Sequence, residues 1–145
     1  MKRSYQDLEV YKIAFELFIE VHKFSQGLPK FEMYELWGQI RRSSDSVVTN
    51  IVEGYGRRNY KQEFVRFLYF SHASNLETIC HLNKLMKLYP DYGHKLLELE
   101  KRYNVLGIRI YNLISYICNN WKIQNMEIRQ QWQQRKLWQQ MQYFN

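Results

Sequence analysis

The sequence predicts an all-α protein, an up-down antiparallel four-helix bundle, and three observations carry that expectation. Periodicity and punctuation together mark four helical stretches, and in the first and fourth apolar residues recur at three- and four-residue steps, the spacing that keeps side chains on one helix face. Only 2 prolines and 6 glycines occur in 145 residues, which favours long uninterrupted elements over a turn-rich β fold. Hydrophobic residues make up 46% of the chain and aromatic ones 17%. One domain of this size and composition buries a core without metal or disulfide staples, and it is no disordered tail.

The first helix is read from about Asp7 to Ser25, with Val10, Ala14, Leu17, Val21 and Phe24 on its core face. Glu9, Lys12, Glu16, Glu20 and Lys23 share another face, and Gly27-Leu28-Pro29 breaks the helix. The second runs from about Met33 to Glu53 along Leu36, Ile40, Val47 and Ile51. Ser43, Ser44 and Ser46 let a neighbouring helix come close, and Gly54-Tyr55-Gly56 is expected to end it in the left-handed conformation that glycine adopts freely. Asn59 and Gln62 read as the N-cap pair of a third helix that continues to Leu88 before Pro90. Asp91 reads as the N-cap of the fourth, whose ladder is Leu96, Leu99, Tyr103, Leu106, Ile110, Leu113 and Ile117, ending near Asn120. Each of these last two spans roughly 43 Å at about 1.5 Å per residue. Short connections between long amphipathic helices favour antiparallel neighbours.

The bundle is thus assigned to residues 1–121, and residues 122–145 form an extension of different composition. From Trp121 onward, Trp132 and Trp138 stand among glutamines. Leu137, Met141 and Phe144 keep helical spacing, so the segment reads either as a helix awaiting a partner or as a frayed extension.

The first helix carries more apolar surface than one core needs. At 100° per residue, Leu8, Phe15 and Ile19 fall opposite the Val10–Leu17–Val21 line, and polar residues keep only about a quarter of the circumference. Leu97, Tyr111, Ile114 and Cys118 flank the ladder of the fourth helix in the same way. A homo-oligomer interface at Leu8, Phe15 and Ile19 would bury the excess; the alternative is the extension folding back over it.

Formal net charge is +7, with 21 Lys and Arg against 14 Asp and Glu, which attracts polyanions and is silent about fold. No apolar signal segment opens the chain and no run of apolar residues is long enough to span a bilayer, so a cytoplasmic address is expected. Cys80 and Cys118 are expected to be buried thiols within helices. His22, His72, His81 and His94 have no partner at metal-ligand spacing, and Gly54-Tyr55-Gly56 lacks the strand and lysine of a phosphate loop. No catalytic constellation, metal site or cofactor site emerges, and the chain reads as a non-enzyme.

Arg41 and Arg42, then Arg57, Arg58, Lys61 and Arg66, place 6 cations within 26 residues, countered by Asp45, Glu53 and Glu63. With Tyr55 and Tyr60 interleaved as stacking platforms, this is the candidate nucleic-acid-binding cluster. The plain alternative splits it into i,i+4 pairs, Arg41 with Asp45 and Arg57 with Glu53, leaving a solvated helix end.

The order Gln39-Ile40-Arg41-Arg42-Ser43-Ser44, Asn50-Ile51-Val52-Glu53-Gly54-Tyr55-Gly56-Arg57-Arg58 and Glu63-Phe64-Val65-Arg66-Phe67-Leu68 resembles the family of 23S rRNA intervening-sequence proteins. That family also includes the accessory variability proteins of diversity-generating retroelements. Asp7-Leu8-Glu9-Val10-Tyr11 and Leu76-Glu77-Thr78 fit the same pattern, so the resemblance covers about residues 5–120. Many relatives carry proline where this chain reads Ser46-Val47-Val48-Thr49-Asn50, which implies a less kinked second helix here. The resemblance implies a small bundle assembling into a homopentameric barrel, and for retroelement members association with a reverse transcriptase and its RNA. It leaves the extension unexplained. The expected function is therefore a homo-oligomeric nucleic-acid-binding accessory protein, RNA favoured. The competing expectation is an rRNA-intervening-sequence-encoded protein or a protein–protein scaffold with no direct nucleic-acid role.

Overall fold

The computed structural model of the protein describes residues 4–28, 30–31 and 35–142, with side chains as far as Trp121. Four α-helices follow in order: α1 (Glu9–Gln26), α2 (Leu36–Gly56), α3 (Lys61–Leu88) and α4 (Gly93–Gln142). Short 3-10 turns at Tyr5–Asp7 and Pro90–Tyr92 precede α1 and α4, and no strand occurs among the described residues. The Met33 start expected for the second helix, the Pro29 breaker and Phe144 lie outside the described residues.

Each helix packs against its neighbours in sequence, and α4 closes the square against α1. Side-chain pairing fixes the antiparallel sense. Thr78 Oγ1 donates to Ser43 Oγ at 2.9 Å, the hydroxyls of Ser46 and Ser74 lie 2.9 Å apart, and Ser71 Oγ donates to the Val47 carbonyl at 2.7 Å. As α2 advances from Ser43 to Val47, its partners on α3 retreat from Thr78 to Ser71. The small serines therefore do what their size suggests, letting two helices approach while the hydroxyls satisfy one another.

The core contains Val10, Ala14, Leu17 and Val21 of α1, Ile40, Val47 and Ile51 of α2, and Leu96, Leu99, Tyr103, Leu106, Ile110 and Ile117 of α4. Leu36, Phe24 and Leu113 are half-buried against it. Ile114, expected beside the α4 ladder, is instead buried within it. Strict three-four alternation drifts around a helix of 3.6 residues per turn, so a four-residue step from Ile110 re-centres the stripe. The buried stripe of α3 keeps helical spacing but is polar in its middle: Phe64, Leu68, Ser71, Asn75, Thr78, His81, Leu82, Leu85. Deep burial pushes the Tyr103 phenol well above its ordinary pKa.

Several local expectations are corrected. Gly54 and Gly56 do not stop α2 in a left-handed turn; the helix runs through Gly56, and no described residue has a positive φ. Gly54 is there for room: a Cβ on it would lie 3.0 Å from Phe67 Cβ and 3.3 Å from the Phe64 carbonyl. Asn59 and Gln62 do not cap α3, which begins at Lys61 after Tyr60 with no side-chain cap. Asp91 lies inside the 3-10 turn, and α4 begins at Gly93. Cys80 and Cys118 are exposed free thiols, because the inward positions of α3 around Cys80 go to Thr78, His81 and Leu82.

Candidate nucleic-acid interface

The six cations of the sequence cluster divide in two. From Arg42 to Arg57 the chain climbs α2 for about four turns, roughly 22 Å. Arg41 is half-buried and Arg42 exposed partway along α2, whereas Arg57, Arg58, Lys61 and Arg66 gather where α2 ends and α3 begins. That end of the bundle also holds the α1 entrance, since the Tyr5 and Tyr55 rings meet edge-on at 6.4 Å. It holds α4 near residue 118 as well, where Lys61 Nζ donates to the Cys118 carbonyl at 3.0 Å.

Three guanidinium groups at this end lie over aromatic rings: Arg58 at 4.1 Å from the Tyr55 centroid, Arg57 at 4.8 Å from Phe67, Arg66 at 5.4 Å from Phe70. Such contacts contribute about 0.5–1 kcal/mol at exposed sites and hold the flat cation in a fixed plane. Arg58 also donates to the Tyr55 carbonyl at 2.9 Å. Arg57 pairs with Glu53 at 3.0 Å, as its i,i+4 spacing predicts, and with Glu63 at 3.5 Å; Glu63 reaches Arg66 at 3.5 Å too. Exposed pairs of this kind contribute only about 0–1 kcal/mol.

Of the two proposed stacking platforms, Tyr60 is open, 72% exposed. Tyr55 is half-buried against Tyr5 and Phe64 and carries Arg58 on its face. Phe67 and Phe70 were missed as supports. The i,i+4 spacing of Arg66 and Phe70 was a usable signal, while Arg57 over Phe67 joins two helices and has no local signature.

The oligomer-interface candidates also separate. Phe15 is 45% exposed, with Tyr11 stacked on it at 5.7 Å, and Ile19 is half-buried on the same helix. Leu8 instead packs against the bundle core at the junction of the first 3-10 turn and α1. Beside this face the acids of α1 hold cations of α4. Arg102 binds Glu20 at 2.6 Å and Glu16 at 3.5 Å, Lys95 reaches Glu20 at 3.4 Å, and Arg109 pairs with Glu9. Partial burial pushes the Glu20 carboxyl up, but Arg102 and Lys95 outweigh it and hold it below the ordinary value. The same acids outweigh burial at Arg102 and raise its pKa. Arg102 is thus committed to the fold.

Among the described residues, no group of three His, Cys, Asp or Glu side chains is placed to hold a metal ion. No helix is long and apolar enough to cross a membrane among those residues. No curated protein matches the chain. The profile of the family described as 23S rRNA-intervening sequence protein matches residues 6–112, a span from the first 3-10 turn through most of the bundled part of α4. With its four antiparallel helices, this chain belongs to the 23S rRNA-intervening sequence protein family.

Proposed function

We propose that this protein is a non-enzymatic, homo-oligomeric nucleic-acid-binding accessory protein with RNA as its preferred ligand. One observation carries the reading. The α2–α3 end gathers Arg57, Arg58, Lys61 and Arg66, three of them guanidiniums fixed over rings, beside the open ring of Tyr60. Fixed planar cations suit phosphate, and an exposed aromatic ring suits an unpaired base. The resemblance to retroelement accessory proteins extends the proposal to a homopentameric ring in the cytoplasm that associates with a reverse transcriptase and its RNA. Repeating the basic end around a ring would let weak contacts act together.

A second reading, a protein–protein scaffold, draws on Glu53 and Glu63, which take up part of the charge of Arg57 and Arg66. Salt-dependent binding separates the two. Phosphate-dominated binding weakens with salt, log K falling by about 0.7–0.9 per neutralised phosphate per unit of log salt. Arg57→Ala with Arg58→Ala should flatten that slope and weaken all sequences alike, because phosphate contacts carry no base information. If neither structured RNA nor duplex DNA binds the assembled protein at low salt, the scaffold reading takes its place.

A further inference from the structure

The sequence treats the basic cluster and the Gln/Trp-rich extension as separate features; the fold puts them at one end. Lys61, at the start of α3, touches the α4 backbone at Cys118. Trp121 packs against the bundle core. From there α4 runs unbroken to Gln142, projecting about 30 Å past the basic end at 1.5 Å per residue. A continuous helix does not turn back over α1, so the extension stands beyond Arg57, Arg58, Lys61 and Arg66.

Its charge matches that position. Lys122, Arg129, Arg135 and Lys136 are opposed by Glu127 alone, so this last stretch supplies 3 of the 7 net positive charges. Within the bundle, by contrast, Arg102, Lys95 and Arg109 are absorbed by Glu9, Glu16 and Glu20. No acid in the extension stands four residues from a cation, so the sequence offers this helix no i,i+4 ion pair, and most helical stability in proteins comes from packing against a neighbour. An anionic partner would supply what the sequence omits. Trp132 and Trp138 add aromatic rings, and its glutamines add amide donors and acceptors.

We infer that the α4 extension and the α2–α3 end of the bundle form one continuous RNA-gripping surface, the extension lying along the strand whose phosphates the bundle end holds. This rests on the nucleic-acid reading above and assigns that site its second wall.

The test uses the full-length protein and a labelled oligouridylate titrated across a salt series. Replacing Lys122, Arg129, Arg135 and Lys136 together with glutamine, itself a good helix former, should weaken binding at least about tenfold near physiological salt. It should also make the log K against log salt slope shallower by up to about 3, at about 0.7 per single-strand phosphate contact. Glu127→Lys should strengthen binding and steepen the slope. Lys84→Gln with Lys87→Gln, at the opposite end of α3, should leave both unchanged. The inference is overturned if the fourfold glutamine variant binds with wild-type affinity and slope while the Arg57→Ala, Arg58→Ala protein loses binding. It is also overturned if light scattering shows that the glutamine variant has lost subunits, which would make the extension a contact between copies. If the wild-type protein itself fails to bind, the nucleic-acid reading falls, and this inference with it.

Discussion

Gly54 and Gly56 stand two residues apart in one helix, yet their surroundings set opposite outcomes for the same substitution. Alanine is favoured over glycine within a helix by about 1 kcal/mol. At Gly56 nothing lies within 4 Å of a new Cβ, so Gly56→Ala should be neutral or stabilise by up to about 1 kcal/mol. At Gly54 the methyl would press on Phe67 Cβ and on Phe64, one contact being backbone that cannot swing aside. Overpacking of this kind costs about 1–3 kcal/mol, so Gly54→Ala should lower the urea midpoint while Gly56→Ala does not. Equal effects would mean that the α2–α3 seam is looser than the geometry indicates. The sequence shows both glycines and assigns both to a helix stop. Only the position of Phe67, thirteen residues away on another helix, tells them apart.

Between elements, the α1–α4 seam depends on pH through Glu20. Its carboxyl is held below the ordinary value of 4.5 by Arg102 and Lys95 against the opposing effect of burial. A depressed folded-state pKa contributes stability that is present above 4.5 and lost as pH falls through the folded value. Wild type should therefore exceed Glu20→Gln in unfolding free energy near neutrality, by no more than about 1 kcal/mol because the pair is partly solvated. The advantage should vanish well below pH 4.5, and a difference independent of pH would remove Glu20 from the account. Sequence periodicity places Glu9, Glu16 and Glu20 on one polar face. It does not place Arg102, Lys95 and Arg109 opposite them, because those partners are 75 to 100 residues away.

For the whole molecule, assembly and the extension give two separable predictions. Phe15, exposed on α1 beside half-buried Ile19, offers apolar surface that a second copy would cover. Phe15→Asp with Ile19→Asp should reduce the light-scattering mass from a multiple of 17.9 kDa, with five copies favoured, to the monomer value. Helical circular dichroism should persist, since Val10, Leu17 and Val21 keep the core. A wild-type protein that is monomeric at micromolar concentration would remove the ring. Deleting residues 123–145 should leave helicity and unfolding midpoint near those of the full chain, because the core ladder of α4 ends at Ile117. A midpoint lowered by more than about 10 °C, beyond what 1–2 kcal/mol produces in a domain this size, would mean the extension docks into the bundle.

The sequence by itself determined four helices, their antiparallel order, most of the core and the family, because helical periodicity and short connections are local properties of the chain. Tertiary structure decided which end of the bundle each charge occupies. It split Arg41 and Arg42 from Arg57, Arg58, Lys61 and Arg66, laid Arg57 over Phe67, turned Cys80 and Cys118 outward, and set the extension beyond the basic end. A helix carries residues fifteen apart some 22 Å from each other while its neighbour returns distant residues to contact. Nearness along the chain is therefore a poor measure of nearness in space, and a cluster written in sequence becomes a site only where the helices fold back on one another.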